Sequence, residues 1–344
     1  MLYTYIIIIL LIYIIFYGIN QFIHISENYT GFKTPYFFDN LSKYDYTYDK
    51  DKNIKKCKND DKDCQMKNYA YHFNTLDSVK LVKNKVKTSS LLQKHNIPVP
   101  TYNVIDINDE LGNIVQSNKN ANIDFPIIIK PIDGTFGIDV HTNLENEIEL
   151  NNAIIKLKEK KKYKNMMIEE FIEGSVYRVF VFNNKVIDII KREKPFIVGN
   201  GYDSVEILIN KRNQALIDEG FFETKNIGFD YIEKQGFTMR SIVPAHNKVY
   251  ITNVINMHNG AILERITISS IPHKNMTLFL NVGKVLGINC YGIDYISKDI
   301  TSPYNEGEDV ILEVNGTPDT EIHTKINYNK DQDGFFKRVV NNIF

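Results

Sequence analysis

The sequence predicts an α+β protein whose folded body follows an N-terminal transmembrane helix. Three observations lead to this prediction. Strand-like and helix-like segments interleave from Leu76 onward without a strict βαβ repeat, which is typical of α+β layers. The chain has 344 residues and is 43% hydrophobic, which is enough to bury a sizeable core. No Asp, Glu, Lys or Arg occurs between Met1 and Ser26.

Composition excludes several classes of protein. The formal net charge is -1, whereas a nucleic-acid binder needs a basic excess to neutralise phosphates. Three cysteines are too few for a scaffold held together by disulfides. Heptads and fixed-period repeats are absent from the sequence, so fibrous and solenoid folds are excluded too.

The charge-free N-terminus predicts a membrane anchor over residues 1–26. Its apolar run, Leu2 to Ile19, is long enough as a helix to approach the ~30 Å thickness of a hydrocarbon core. A cleaved signal peptide is the first alternative, but the run lacks a basic segment before it and a small-residue cleavage site after it. A buried core helix is the second alternative, although such helices normally have a polar face.

Residues 27–75 are predicted to form a polar tether between this anchor and the folded domain. The stretch from Asp39 to Lys67 is rich in Asp, Lys, Asn and Tyr and has almost no aliphatic residues to bury. Cys57 and Cys64 lie within it at a spacing that fits no zinc motif, so we interpret both as reduced thiols without a ligand role.

The patterning of the folded body gives its main elements. Apolar residues at helical spacing predict one helix over Val79–His95, and a β-branched run predicts a buried strand over Ile127–Ile129. A capping-box pattern at Thr142–Glu145 predicts the start of another helix. Two apolar segments, 293–296 and 310–314, are predicted to pair as strands at the end of a sheet.

A lysine and a glycine-bearing loop follow the predicted strand at 127–129. Lys130 leaves the strand, where its ammonium group is placed to pair with phosphate oxygens, and Gly134 and Gly137 let backbone N–H groups approach them closely. The alternative is an ordinary turn. The spacing matches neither a Walker A loop nor a dinucleotide fingerprint.

Three oxygen-bearing side chains interrupt the two apolar strands near the C-terminus. Asp294 lies in the first strand, and Glu313 and Asn315 flank Val314 in the second, which places these two on one face. Acids among core residues are costly unless they are paired or bound to metal, and two carboxylates with an amide oxygen suit Mg²⁺. The alternative is a pair of polar strand faces in contact with water.

Taken in order, these motifs resemble those of the ATP-grasp ligases, and especially the ATP-grasp domain of cyanophycin synthetase and the glutathione-synthetase-like ligases. The resemblance covers roughly residues 76–325. The matching segments, in chain order, are Asn84-Lys85, Lys130-Pro131 with its glycine loop, Ile168-Glu169-Glu170-Phe171-Ile172, Tyr177-Arg178, Arg192 to Gly201, Gly236-Phe237-Thr238, Asn256 to Gly260, Gly292-Ile293-Asp294 and Glu313-Val314-Asn315.

The resemblance implies an ATP-grasp fold over residues 76–335, with two α+β subdomains that clasp ATP and a hinge near residues 168–175. It implies ATP-dependent carboxylate–amine ligation through an acyl-phosphate. Lys85 and Lys130 would hold phosphates, Glu169 would accept from the adenine amino group, and the backbone of Phe171 and Ile172 would meet the ring.

For the metal and the reacting groups, the resemblance implies that Asp294, Glu313 and Asn315 hold Mg²⁺, with Mn²⁺ as an alternative. Lys130 and Arg192 are the candidate catalytic residues, since a guanidinium suits a transferring phosphoryl group or a carboxylate. The alternative for Arg192 is a solvated charge, and Arg178 is equally well explained as a structural ion pair. His258, Arg265 and His323 are candidates for lining the substrate pocket.

Two departures from the family pattern bear on activity. Val176 stands where the family usually has an acid that binds the ribose, and Asp139 places an acid in the phosphate loop. We interpret them as a drift in substrate specificity, with amino acids or short peptides as the substrates. The open alternatives are a D-alanine–D-alanine-type or glutathione-type ligase, a non-catalytic ATP-binding module, and a membrane-anchored interaction protein. ATP and Mg²⁺ place the domain on the cytoplasmic side of the membrane, and a homodimer is left open.

Overall fold

The structure is a computed structural model that describes residues 46–48, 54–56, 65–66, 74–134, 137–320, 322–323, 326 and 332–342. The predicted anchor at 1–26, Cys57 and Cys64 lie outside the described residues, as does most of the predicted tether. Within the described ranges, no helix combines the length and the apolar character needed to cross a bilayer.

The described part of the predicted tether contains three short strands. They are β1 (Tyr46–Tyr48), β2 (Ile54–Lys56) and β3 (Gln65–Met66), and they form an antiparallel sheet in that order. The predicted polar tether therefore includes short strands at these residues. Tyr and Thr, which make up the first of these strands, favour extended backbone even where few aliphatic residues are available to be buried.

The first lobe of the folded body is a four-stranded antiparallel sheet covered on one face by two helices. Its strand order is β4-β7-β5-β6, and the helices are α3 and α4. Their bounds are β4 (Tyr102–Asp106), α3 (Leu111–Asn120), β5 (Ile127–Pro131), β6 (His141–Leu144), α4 (Glu147–Glu159) and β7 (Asn165–Glu170). Ile127, Ile129 and Ile168 pack against Leu150 and Ile154 of α4 in a single core.

The second lobe is a five-stranded antiparallel sheet in the order β12-β9-β8-β13-β14. Its strands are β8 (Ser175–Phe182), β9 (Lys185–Glu193), β12 (Ile262–Arg265), β13 (Cys290–Ser297) and β14 (Val310–Asn315). Three helices contribute to this lobe, α1 (Leu76–Lys83), α2 (Lys85–Lys94) and α7 (His273–Leu286). The chain passes between the two sheets at residues 171–174, inside the predicted hinge.

A smaller unit is inserted between β9 and β12. It contains a two-stranded sheet and two helices around a core of its own, which includes Val205, Ile232 and Val249. Its elements are β10 (Phe196–Val198), α5 (Val205–Asp218), α6 (Phe229–Lys234) and β11 (Lys248–Tyr250). A final helix, α8 (Gln332–Val340), contacts β9.

Two of the helix predictions are wrong, one in its continuity and one in its start, and an asparagine cap explains each correction. The helix predicted over Val79–His95 is two helices, because Asn84 ends α1 and accepts a hydrogen bond from the Lys87 backbone N–H as the cap of α2. Thr142 belongs to strand β6, and α4 begins later with Asn146 as its cap. Asn competes with Ser and Thr for this position, and both sequence windows contain it.

The pleat of the five-stranded sheet separates an apolar face from a polar face. Val179, Val181, Ile293 and Tyr295 point to the side covered by the helices and are fully or almost fully buried. The alternate residues of the same strands point to the opposite side. The predicted pairing of segments 293–296 and 310–314 is confirmed, with β14 at the edge of the sheet.

Candidate functional site

The polar face of the five-stranded sheet gathers residues from four strands. Asp294 on β13 lies directly opposite Glu313 on β14 and opposite Arg178 on β8. Asn315 is two residues beyond Glu313 and shares its face. Arg192 on β9 lies opposite Val176 of β8, so it reaches the same face. This register confirms the prediction that Glu313 and Asn315 share a face.

Two arginines hold the carboxylate of Asp294. Its Oδ1 atom lies 2.8 Å from Nη2 of Arg192 and 2.9 Å from Nε of Arg178. Burial by itself raises the pKa of Asp294, but the two guanidinium groups outweigh it, and the pKa is lower than the ordinary value for aspartate. Arg178 is thus an ion-pair partner of Asp294.

Arg192 is 9% exposed, so it is not the solvated surface charge that its basic neighbourhood in the sequence suggests as an alternative. Burial lowers the pKa of its guanidinium, and Asp294 acts in the opposite direction. The structure therefore places a buried cation next to the predicted metal-binding aspartate.

Lys85 connects two predicted parts of the site. As the first residue of α2, it donates from Nζ to the carbonyl oxygen of Gly134 at 2.6 Å, and Nζ lies 3.6 Å from Oε1 of Glu313. The backbone N–H of Lys85 also donates to the carbonyl of Ile132. The glycine loop of the first lobe and the acidic strand of the second lobe therefore meet at this ammonium group.

Lys130 and Glu169 form a buried ion pair in the first lobe, with 2.6 Å between Nζ and Oε2. Lys130 on β5 and Glu169 on β7 both point away from the helix-covered face of the four-stranded sheet. Glu169 is 1% exposed, and burial raises its pKa in spite of the lysine. Oε1 of Glu169 receives no hydrogen bond within the described chain, so it fits a buried donor such as an adenine amino group.

The glycine loop is described at both ends but not in its middle. Gly134 contacts Lys85, and Gly137 has a φ of +69°, a conformation that favours glycine. Thr135 and Phe136 lie outside the described residues. The carboxylate of Asp139 forms an ion pair with Lys160 and accepts from the Tyr163 hydroxyl, so its charge is neutralised at the end of α4 and not in the predicted phosphate pocket.

Phe171 and Ile172 lie on the connection between the two sheets. Both are partly exposed, and the backbone N–H of Phe171 donates to the carbonyl of Pro126. This connection leaves β7 directly after Glu169 and Glu170, so the predicted ring contacts are adjacent to the buried Glu169. The predicted adenine-binding residues therefore form one continuous segment at the junction of the lobes.

The predicted metal ligands fit Mg²⁺ by donor chemistry and by strand register. Asp294, Glu313 and Asn315 offer two carboxylates and an amide oxygen on one face of neighbouring strands. Across the described ranges, no cluster of three or more His, Cys, Asp and Glu side chains gathers to hold a metal, and this set has only two acids. Because both arginines contact Asp294, a bound cation would compete with them for the carboxylate.

Two of the three residues predicted to line a substrate pocket are part of a buried ion cluster. His323 is 0% exposed, and its Nδ1 lies 2.9 Å from Oδ2 of Asp188 on β9. Arg265 and Arg338 both contact Oδ1 of Asp188, at 3.2 and 3.3 Å. The prediction for His323 is therefore wrong, because a fully buried ring has no surface to line a pocket, whereas the side chain of Arg265 is 17% exposed and its role stays a prediction. Asp188 lies among apolar strand residues, which is the sequence signal for a paired buried acid.

His258 remains accessible. Its side chain is 33% exposed, and its Nε2 lies 3.1 Å from Oδ2 of Asp319, which follows the acidic strand by a few residues. The ring packs against Phe222 at 4.5 Å between centroids. Asp319 is a residue that the sequence analysis missed, because no motif contains it.

Comparison with known proteins identifies similar sequences and a similar fold. Residues 82–201 match the RimK-like ATP-grasp domain. The chain is 31% identical over 253 residues to cyanophycin synthetase of Synechocystis sp., which covers 71% of this chain and 28% of that protein. It is 26% identical over 263 residues to the glutathione biosynthesis bifunctional protein GshAB of Streptococcus mutans, which covers 70% of this chain and 32% of that protein.

A solved structure shares the fold. The bifunctional glutathione synthetase from Pasteurella multocida superimposes with a TM-score of 0.54 at 20% sequence identity, over 84% of this chain and 40% of that chain. The chain spans less than a third of the length of either curated relative named above. These matches confirm the family that the order of motifs indicates, and the superposition confirms the fold.

Proposed function

We propose that this chain, which carries a RimK-like ATP-grasp domain, is an ATP-dependent carboxylate–amine ligase that forms a peptide-like amide bond. The observation that carries the proposal is the position of Lys85. Its ammonium group touches the glycine loop and lies 3.6 Å from Glu313, so phosphate-binding and metal-binding groups converge from both lobes.

Each residue of the site has a role in holding the nucleotide. Lys85 and Lys130 neutralise phosphate oxygens, and the backbone N–H groups around Gly134 and Gly137 donate to them. Glu169 accepts from the adenine amino group through its unpaired oxygen, and the segment of Phe171 and Ile172 lies along the ring. When ATP binds, the ammonium group of Lys130 would either leave Glu169 for the phosphates or contact both Glu169 and the phosphates.

Asp294, Glu313 and Asn315 would hold Mg²⁺ or Mn²⁺, which supplies positive charge to the phosphates when bound. Arg192 donates to the transferring phosphoryl group or to the donor carboxylate, because a guanidinium matches both in a bidentate way. The ion pair with Asp294 fixes the orientation of Arg192 before the substrate arrives.

The proposed reaction has two steps. An oxygen of the donor carboxylate attacks the γ-phosphorus of ATP, the bond from γ-phosphorus to the bridging oxygen breaks, and ADP leaves. The lone pair of the acceptor amine then attacks the acyl carbon, inorganic phosphate leaves, and the amine loses a proton. The cationic side chains Lys85, Lys130 and Arg192 stabilise the negative charge that shifts during both steps.

The test is phosphate release by the full chain with Mg²⁺ and ATP across a panel of amino acids and short peptides. We expect release that requires one carboxylate–amine pair and that disappears in Asp294→Asn. Glu308→Gln is the matched control, because Glu308 is an exposed carboxylate on the connection between the same two strands. Release with D-alanine alone would instead favour the D-alanine–D-alanine-type alternative.

A non-catalytic ATP-binding module is the second candidate, and Val176 is the residue that favours it. Val176 faces Arg192 on the polar face, where the family usually has an acid for the ribose. This candidate predicts binding of ATP with no release dependent on an amine. Asp139 no longer supports it, because Lys160 and Tyr163 hold that carboxylate.

We also propose that residues 1–26 anchor the chain in a membrane with the ligase domain on the cytoplasmic side. The charge-free apolar run from Leu2 to Ile19 supports the anchor, and the use of ATP supports the orientation. Extraction of host membranes with alkaline carbonate tests it. Release of the full chain into the supernatant would contradict the anchor, and a glycan on Asn315 would contradict the orientation.

A further inference from the structure

An open groove runs along the inserted unit, beside strand β10. It encloses about 590 Å³ when the adjoining space that is open to solvent is included. Its lining residues are Phe196, Ile197, Val198, Leu208, Arg212 and Ile262. Five of these are apolar and one is a cation, so the groove has the composition of a site for a ligand with an apolar body and a negative group.

Arg212 has only neutral partners. Its Nη1 donates to Oγ1 of Thr224 at 2.9 Å and its Nη2 donates to the carbonyl oxygen of Gly260 at 2.5 Å. A guanidinium has five N–H donors, so three remain for a ligand. Burial lowers the pKa of Arg212, and no acid acts in the opposite direction.

The other partly or fully buried arginines of the described chain do have acidic partners. Arg178 and Arg192 share Asp294, while Arg265 and Arg338 share Asp188. Within the same described ranges, Arg212 forms no ion pair with a carboxylate. A half-buried cation without a counter-charge is costly, and a carboxylate from a ligand would supply the missing partner.

The strand beside Arg212 offers an unpaired edge. All three residues of β10 line the groove, although successive side chains of a strand point to opposite faces, so the groove follows the edge of the strand. The Pro195 carbonyl and the Gly199 N–H bond across to the side of β11. By alternation, the backbone groups of Phe196 and Val198 point away from β11, and no described residue bonds to them.

The groove also begins close to the catalytic candidates. Phe196 follows Arg192 by four residues, a reach of about 13 Å in extended chain. Ile262, on the opposite wall, lies directly across the β9–β12 ladder from Glu193. A short peptide on the β10 edge would therefore extend from the groove to the place where the phosphoryl group is transferred.

We propose that this groove binds the amine substrate, a short extended peptide, through its C-terminal carboxylate. The carboxylate pairs with Arg212, an apolar last residue packs between Leu208 and Ile262, and the peptide backbone adds to the free edge of β10. This places the N-terminal amine toward Arg192. The role as acceptor rests on the proposed ligase function, whereas the recognition of the carboxylate does not.

The test uses the full chain and a random tetrapeptide mixture, once with free C-termini and once with amidated C-termini, with neither ATP nor metal present. Peptides retained by the protein are identified by mass spectrometry. We expect free acids with an apolar last residue to be enriched about tenfold or more over the matching amides. Equal retention of acids and amides, or retention of neither, would overturn the proposal.

Three variants assign the effect to the guanidinium group. Arg212→Gln keeps a donor for Gly260 but removes the charge, and we expect it to lose the enrichment. Arg212→Lys keeps the charge and should retain part of it, while Arg240→Met, at an exposed arginine, should retain all of it. Melting curves confirm that each variant is folded. Undiminished enrichment by Arg212→Gln contradicts the proposal.

Because the selection needs no nucleotide, its failure is distinguishable from failure of the ligase function. If retention depends on Arg212 but no carboxylate–amine pair stimulates phosphate release, the groove is a peptide site on a protein that is not a ligase. If release is stimulated but retention is independent of Arg212, the ligase function stands and the acceptor binds elsewhere.

Discussion

Nζ of Lys130 lies 2.6 Å from Oε2 of Glu169, and both side chains are buried, at 8% and 1% exposure. Two opposite charges thus lie beneath the predicted nucleotide pocket, almost entirely shielded from water. Removal of one partner leaves an uncompensated buried charge, which costs far more than the pair itself contributes. The pair therefore supports the architecture of the first lobe.

We expect Glu169→Gln to lower the free energy of unfolding by about 3 kcal/mol, because the Lys130 ammonium group would remain buried without a counter-charge. The double variant Lys130→Met, Glu169→Gln should lose much less than the sum of the single variants Lys130→Met and Glu169→Gln, since it buries no charge. Urea unfolding of the four proteins measures the coupling. Strict additivity would show that the two charges do not interact.

Lys298 and Glu308 provide the control for this cycle. Their ion pair is also short, at 3.2 Å, but both side chains are more than half exposed. Water screens such a pair, so Lys298→Met should leave stability unchanged within error.

Lys85→Met should weaken the binding of ATP about tenfold or more. The variant removes the ammonium group that connects Gly134 with Glu313, and charge-assisted hydrogen bonds to phosphate are worth about 1.5–3 kcal/mol. Displacement of a fluorescent nucleotide from the full chain measures the affinity.

Lys87 lies two residues further along the same helix and is exposed, so Lys87→Met is the matched control. It carries the same change of charge but should retain the affinity of the wild type. An equal loss in both variants would mean that overall charge, and not the position of Lys85, governs nucleotide binding.

Asp294→Asn should destabilise the protein at neutral pH by about 3 kcal/mol, because Arg178 and Arg192 would lose their shared carboxylate. The difference should shrink in acid. The pKa of Asp294 is lowered from 3.8 in the folded protein, so the unfolded chain binds the proton first as the pH falls below that value. The ion-pair contribution of the wild type is lost in this range.

Urea unfolding of wild type and Asp294→Asn at several pH values between 3 and 7 measures this dependence. The difference between the two proteins isolates Asp294 from other groups that titrate in acid. A difference that is constant over the whole range would show that the arginines do not lower the pKa of this carboxyl.

Much of the site was predictable because it depends on local periodicity. The period of two places Glu313 and Asn315 on one face, and it likewise separates Lys130 from the buried Ile127 and Ile129. The turn between β8 and β9 also has a local cause, since Asn183 and Asn184 both adopt positive φ, a conformation that asparagine tolerates better than most residues.

Local sequence patterns do not indicate which residues pair when two strands are distant in the chain. Asp294 meets Arg192 only because β8 separates β9 from β13 and aligns both. No local pattern specifies that alignment, so an ion pair could be expected for Arg178, but the pairing of both arginines with Asp294 could not be predicted. His323 was assigned to a pocket for the same reason, because its partner Asp188 belongs to a distant strand.

His323 gives a second prediction that depends on pH. Its imidazole is completely buried between Phe180 and Phe335, with ring centroids at 5.2 and 5.0 Å. Burial lowers its pKa below 6.5, although Asp188 acts in the opposite direction. The folded protein therefore holds His323 neutral at a pH at which the unfolded chain would already bind a proton.

The direction in which stability changes with pH follows from that difference in pKa. Stability is complete above the unfolded pKa of 6.5 and is lost as the pH falls from there toward the lower pKa of the folded state. The loss is at most about 1.4 kcal/mol per pH unit for one group. His323→Gln has no proton to bind here, so this part of the pH dependence should be absent from its melting curve.

Melting temperatures of wild type and His323→Gln between pH 5 and 8 measure the effect. We expect the wild type to lose stability relative to the variant as the pH falls below 6.5, even if the variant is less stable throughout. His95→Gln is the control, because His95 is exposed and should leave the slope of the wild type unchanged. Parallel curves for wild type and His323→Gln would mean that Asp188 keeps the imidazole as basic in the folded protein as in the unfolded chain. His323 would then bind its proton over the same pH range in the folded protein as in the unfolded chain, with Asp188 as its partner.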